Sequence, residues 1–216
     1  MESHVVSKQR VADHGEVLTG TREVNAMLDL VKRETERIDS RFLEPACGNG
    51  NFLAEILCRK LRVVDSRYGR SPLEYGRNAV LAVSSIYGID ILEDNVIACR
   101  NRLLDLFDKS YGSLYSREEC LATVRFLLER NIIWGDARTL MTVGPDPRPI
   151  VFSEWSPVNG NMIKRRDFAF RELVSFGGMI QEPLFSDLGE RAFVPEPLKK
   201  EYPLTHYLRL TDGDKQ

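Results

Sequence analysis

The sequence predicts an α/β sandwich with a mostly parallel sheet. Three observations carry that prediction. First, a short apolar run, Arg41 to Leu43, leads into a glycine turn, after which Phe52, Leu53, Ile56, Leu57 and Leu61 recur at helical spacing. Second, two more apolar runs, Ile86 to Ile89 and Asn131 to Trp134, lead into Asp90 and into Gly135-Asp136-Ala137. Third, amphipathic stretches separate these runs, and strand–helix alternation is the pattern of a parallel sheet covered by helices.

Taken in order, residues 1–12 are polar and are expected to form a flexible N-terminus. Residues 13–158 are expected to form a ligand-binding domain, and residues 159–216 a C-terminal extension that contacts a partner or DNA. Asp13 to Gly20 reads as a loop. Thr21 is placed to cap a helix whose face is Val24, Met27, Leu28 and Val31. Leu61 to Ala79 is polar and contains Gly69, Pro72 and Gly76, so it reads as an irregular insertion. Asp94 to Phe107 is helical by the stripe Val96, Leu103 and Phe107. Asp105 to Ser116 is a connector, and Cys120, Leu121, Val124, Leu127 and Leu128 mark another helix. Met141 to Arg148 is a loop. Pro149 to Trp155 reads as a fourth strand, and the remaining length leaves the C-terminal strands of such a sheet incomplete.

Composition narrows the function classes. The 216 residues are 43% hydrophobic and 29% charged, which argues against overall disorder. A formal net charge of −2 argues against duplex binding by this chain alone, because phosphate neutralisation needs clustered Lys and Arg. Lys164-Arg165-Arg166 is a basic triplet that reads as a solvated surface run. Cys47, Cys58, Cys99 and Cys120 have no paired metal spacing and read as thiols of a reducing cytoplasm, so no metal is expected. No signal peptide or membrane span is visible, and a cytoplasmic location is expected.

The glycine turn points to a ligand. Its glycines let the backbone turn sharply and approach a bound group, and the helix that follows offers unpaired N–H groups. The dinucleotide fingerprint wants glycine at its first, third and sixth positions. Gly48 and Gly50 satisfy the first two, but the sixth is Leu53. Glu44, at the end of the strand, would repel a pyrophosphate. A ligand with an ammonium group and no phosphate, such as S-adenosylmethionine (SAM), suits these residues better. An acid at the end of the second strand can accept hydrogen bonds from both ribose hydroxyls, and Asp90 has that place. Asp90 lies 40 residues beyond Gly50, against a usual separation of about 20 residues, and the insertion accounts for the excess.

The segment Leu43-Glu44-Pro45-Ala46-Cys47-Gly48-Asn49-Gly50-Asn51-Phe52-Leu53 resembles the SAM-binding motif of adenine-specific (N6) DNA methyltransferases of restriction–modification systems. In the gamma arrangement of those enzymes a second SAM motif lies just upstream, and Gly15-Glu16-Val17-Leu18-Thr19 occupies that place. The resemblance covers residues 11–140 and implies a SAM-dependent methyltransferase (Rossmann-like) fold. It also implies roles. Thr19 would touch the methionine part of SAM, and Glu44, Ala46, Cys47, Gly48 and Gly50 would line the ligand turn. Asp90 would hold the ribose, with Ile91 against the adenine ring. Asp136, followed by Ala137, would accept a hydrogen bond from the adenine amino group.

The family's catalytic tetrapeptide, Asn/Asp/Ser-Pro-Pro-Tyr/Phe, closes the fourth strand and clamps a base flipped out of the duplex. No such tetrapeptide occurs in this sequence. Ser153-Glu154-Trp155-Ser156-Pro157 stands in its place, with Glu154 a candidate acceptor and Trp155 a candidate stacker. The expected function is therefore the SAM-binding portion of a DNA adenine methyltransferase. A partner polypeptide would carry the tetrapeptide and the target-recognition region, and DNA would be met through the complex. The alternatives are a non-catalytic SAM-binding scaffold or regulatory subunit, and a methyltransferase with a divergent Ser153-Glu154-Trp155 site.

Overall fold

A computed structural model of the chain describes residues 10, 19–112, 117–179, 197–198 and 202–214. The Gly15-to-Leu18 segment, and all of the expected flexible N-terminus except Arg10, lie outside the described residues. Pro183 and Pro195 of the tail do as well.

The first sheet has the order β1-β2-β3-β4, with β1 (Phe42–Glu44), β2 (Ile86–Asp90) and β3 (Ile132–Asp136) mutually parallel. The short β4 (Met141–Thr142) turns back antiparallel on β3, with Asp136 opposite Met141. The chain is thus a mixed α/β protein with a mostly parallel sheet. β2 is buried throughout, as an inner parallel strand covered on both faces must be. Side chains alternate along it. Ile86 joins the helical core, whereas Tyr87 and Ile89 pack on the other face with Ile150, Phe152 and Phe170.

The helices around this sheet are α1 (Thr21–Leu30), α2 (Lys32–Thr35), α3 (Asn51–Tyr68), α4 (Pro72–Ser84), α5 (Glu93–Tyr111) and α6 (Arg117–Asn131). The Leu61-to-Ala79 stretch is not an irregular insertion. α3 runs on to Tyr68, with Arg62, Asp65, Ser66 and Arg67 on the outer face of a helix that buries Leu53, Ile56, Leu57, Leu61 and Val64. Pro72 then sits in the first turn of α4, where its missing N–H costs nothing. Gly76 lies inside α4, where a Cβ would come within 3.0 Å of the Tyr111 hydroxyl. Thr21 is not the cap of α1: Gly20 holds that position, and no side chain caps it. α5 also extends through most of the expected connector, to Tyr111.

The expected fourth strand forms, as β5 (Val151–Pro157), but it leaves the parallel sheet. It pairs antiparallel with β6 (Met162–Ala169), from Val151 opposite Ala169 to Pro157 opposite Ile163. β6 pairs in turn with β7 (Thr205–His206), completing a separate three-stranded sheet. The Asn159-Gly160 pair makes the hairpin turn, with Gly160 at φ 68°. The boundary expected at residue 158 therefore falls inside a hairpin, and residues 162–169 are sheet rather than tail. α7 (Phe170–Met179) follows β6, and a 3-10 stretch (Tyr207–Asp214) buries Tyr207 and Leu210. Only Lys164 of the basic triplet is exposed. Arg165 pairs with Asp167 at 2.6 Å, and Arg166 pairs with Glu154. Among the described residues no helix is long and apolar enough to cross a membrane.

Candidate functional site

Each of the three parallel strands ends on a carboxylate: Glu44, Asp90 and Asp136. The glycine turn follows β1 and is stitched onto the end of β2. Cys47 N–H donates to the Ile89 carbonyl at 2.9 Å, and Gly48 N–H donates to Asp90 Oδ2 at 2.8 Å. Gly50 N–H donates to the Cys47 carbonyl at 2.9 Å, closing the turn. Gly48 and Gly50 hold φ of 51° and 87°, a region glycine enters without Cβ strain. A Cβ on Gly50 would also stand 2.7 Å from Cys99 Sγ, so any other residue there would have to displace that buried thiol.

Asp90 is 8% exposed and does two jobs. Besides Gly48, it accepts from Leu92 N–H at 2.9 Å and Asn95 Nδ2 at 3.2 Å, both on Oδ1. An ionised carboxylate has about four lone-pair sites, and donors among the described residues fill three of them. Glu44 is half-buried. Burial pushes its carboxyl above the usual range, and the Ala46 N–H at 3.4 Å draws it partly back. Asp136 Oδ1 accepts from Arg138 N–H at 2.8 Å, and Ala137 beside it is half-buried. Ile91 leaves 46% of its surface exposed directly after Asp90, an apolar platform at the strand end. Thr19 is brought to the same place, because Asn51 Nδ2, at the start of α3, donates to its carbonyl at 2.8 Å. Cys47 is buried. Its contact with Cys99 and the lack of water both push its thiol up, so it is inert at neutral pH.

Three residues that sequence reasoning did not select hold this site together. Asn51 ties Thr19 to the helix, Asn95 ties α5 to Asp90, and Trp134 donates its indole N–H to the Ile91 carbonyl at 3.0 Å. Asn51 alone carried a signal, being the first helical residue after Gly50.

Glu154 and Trp155 are not with them. Trp155 is 5% exposed, and its indole N–H donates to Asn131 Oδ1 at 3.1 Å. Asn131 immediately precedes β3 and donates to the Ser84 and Ile86 carbonyls, so Trp155 packs at the amino ends of the strands. A ring buried there cannot stack on a base brought to the carboxyl ends. Glu154 is held between Arg41, which immediately precedes β1, and Arg166. Trp155 is thus a structural residue. Trp155→Phe keeps an aromatic ring but loses part of its volume and the hydrogen bond to Asn131, which is expected to lower unfolding free energy by about 1–3 kcal/mol in urea melts. An unchanged midpoint would mean that the Asn131 contact contributes nothing.

Compared with protein-family models, with curated proteins and with solved structures, the chain matches none. Among the described residues no group of His, Cys, Asp and Glu is arranged to hold a metal ion.

Proposed function

We propose that the chain binds S-adenosylmethionine at the carboxyl ends of β1, β2 and β3, as the cofactor-binding portion of a DNA adenine-N6 methyltransferase. The observation that carries this reading is the trio Glu44, Asp90 and Asp136 around a glycine turn. Opposite charges attract and like charges repel most where water is scarce. Three carboxylates favour a ligand with sulfonium and ammonium cations and oppose a pyrophosphate. Glu44 and the turn from Ala46 to Gly50 would face the methionine part, with Thr19 across from them. Asp90 would accept a hydrogen bond from a ribose hydroxyl. Ile91 would lie against the adenine ring, and Asp136 with Ala137 would meet its edge.

When bound, the cofactor supplies an electrophilic methyl group for direct transfer to adenine N6. The protein's contribution is positioning, not a covalent intermediate. The Ser153-Glu154-Trp155 segment does not support a divergent clamp, because Trp155 is buried and Glu154 is ion-paired at the other end of the strands. The clamp and the recognition surface are therefore assigned to a partner polypeptide, and DNA as substrate implies a cytoplasmic place of action.

The test is methyl incorporation from labelled SAM into bulk DNA. This chain alone is expected to give none above background while still binding SAM in calorimetry. N6-methyladenine made by the single chain would overturn the division of labour, and no SAM binding by the folded chain would overturn the cofactor assignment.

A further inference from the structure

β1 is the outer strand of the parallel sheet. It pairs with β2 on one side, and no described residue pairs with its other side. Phe42 N–H is spent on the Ser85 carbonyl at 3.0 Å. In a parallel ladder the next residue turns its N–H and C=O the opposite way, so Leu43 directs both outward. An open strand edge of this kind is a template for another strand.

The surroundings suit one. Leu43 is opposite Tyr87 in the register and shares its face, which Phe152 of β5 and Phe170 at the start of α7 cover. That cover stops short of β1: Leu43 is 43% exposed. What remains is a groove of about 410 Å³ with Leu43, Tyr87, Phe152, Phe168 and Leu173 in its walls. At the amino end of β1 stand Arg41 and Arg166, both on Glu154, a cluster with one positive charge in excess.

We infer that the open edge of β1 is where the partner polypeptide docks, by laying an extended segment parallel to β1. The segment's alternate apolar side chains fill the groove, and an acidic side chain at its amino end meets Arg41 and Arg166. Main-chain hydrogen bonds to Leu43 give affinity and the groove gives selectivity, as in other strand additions. The direction follows from the site. A strand parallel to β1 ends beside Glu44 and the glycine turn, so a clamp at its carboxyl end arrives at the methyl donor. A second copy of this chain would bring no such clamp. This inference rests on the cofactor reading and adds to it the point where the missing clamp enters.

The experiment places a photoreactive benzoylphenylalanine at Leu43 of the full chain, in its native cell, with the same probe at the exposed Ile97 of α5 as control. Cross-linked peptides are sequenced by mass spectrometry. The expected product at Leu43, and not at Ile97, is a segment of a second polypeptide that runs directly into an Asn/Asp/Ser-Pro-Pro-aromatic tetrapeptide. A link to this chain, to another copy of it, or to nothing overturns the docking site. With the linked polypeptide added, Leu43→Lys is expected to lower methyl incorporation by about tenfold or more, while SAM affinity stays within about twofold. Undiminished incorporation also overturns it. SAM binding without the cross-link removes the docking site alone, whereas the cross-link without SAM binding removes the cofactor reading alone.

Discussion

Asp90→Ala is expected to weaken SAM binding about 10- to 150-fold, the equivalent of roughly 1.5–3 kcal/mol for one hydrogen bond to a charged group. The effect has two sources. The ribose would lose its acceptor, and the turn would lose its anchor, because Gly48 N–H, Leu92 N–H and Asn95 Nδ2 all end on this carboxylate. Asp90→Asn separates them. Its amide oxygen can still accept from Gly48 or from Leu92, but the charge is gone. Calorimetry should therefore rank wild type above Asp90→Asn above Asp90→Ala, with thermal stability falling in the same order. An Asp90→Ala chain that is less stable but binds SAM normally would leave Asp90 as scaffold only and remove it from the ligand's contacts. NAD is the control ligand. At matched concentration it should stabilise wild type less than SAM does, since a ligand raises apparent stability only through its affinity for the folded state.

The parts of this architecture that were legible in the sequence are those written locally. The β1–turn–α3 unit, the runs that became β2 and β3, and the acids after them all follow from hydrophobic period and glycine placement. The rest turns on where glycine and proline stand within an element, or on contacts far apart in the chain. Pro72 looked like a break in structure, yet proline in a first turn begins a helix. Asn159-Gly160 is a strong hairpin signal, and it pairs β5 with β6 rather than with the parallel sheet. No local pattern could have told that Trp155 seeks Asn131, 24 residues earlier, or that Asn95 and Gly48 converge on one carboxylate. The carboxylates themselves were visible one at a time, but their shared edge appears only with the register.

Lys60→Ala is expected to destabilise the chain by about 2–5 kcal/mol at pH 9, from a new cavity and from carbonyls left without donors. Lys60 lies in α3 and is fully buried. Its Nζ lies within hydrogen-bond distance of the carbonyls of Ile38 and Ser40 and of Ser85 Oγ, and 5.2 Å from the centre of the Phe42 ring. One side chain thereby ties the segment entering β1 to the segment entering β2, beneath the end of the sheet opposite the glycine turn. Burial pulls its pKa from 10.5 down to about 7. The unfolded chain holds that proton up to about pH 10.5, whereas the folded chain releases it near 7. Between those values the unfolded state binds more protons, so wild-type stability gains as pH rises. The alanine variant lacks the gain. Its deficit should therefore widen between pH 7 and pH 10, in urea melts corrected for any change in slope. Lys60→Met, which restores most of the stem's volume, should recover the cavity part of the loss but still lack the pH-dependent gain. Parallel stability–pH curves for wild type and both variants would mean that Lys60 keeps its proton throughout, held by the three oxygens around it.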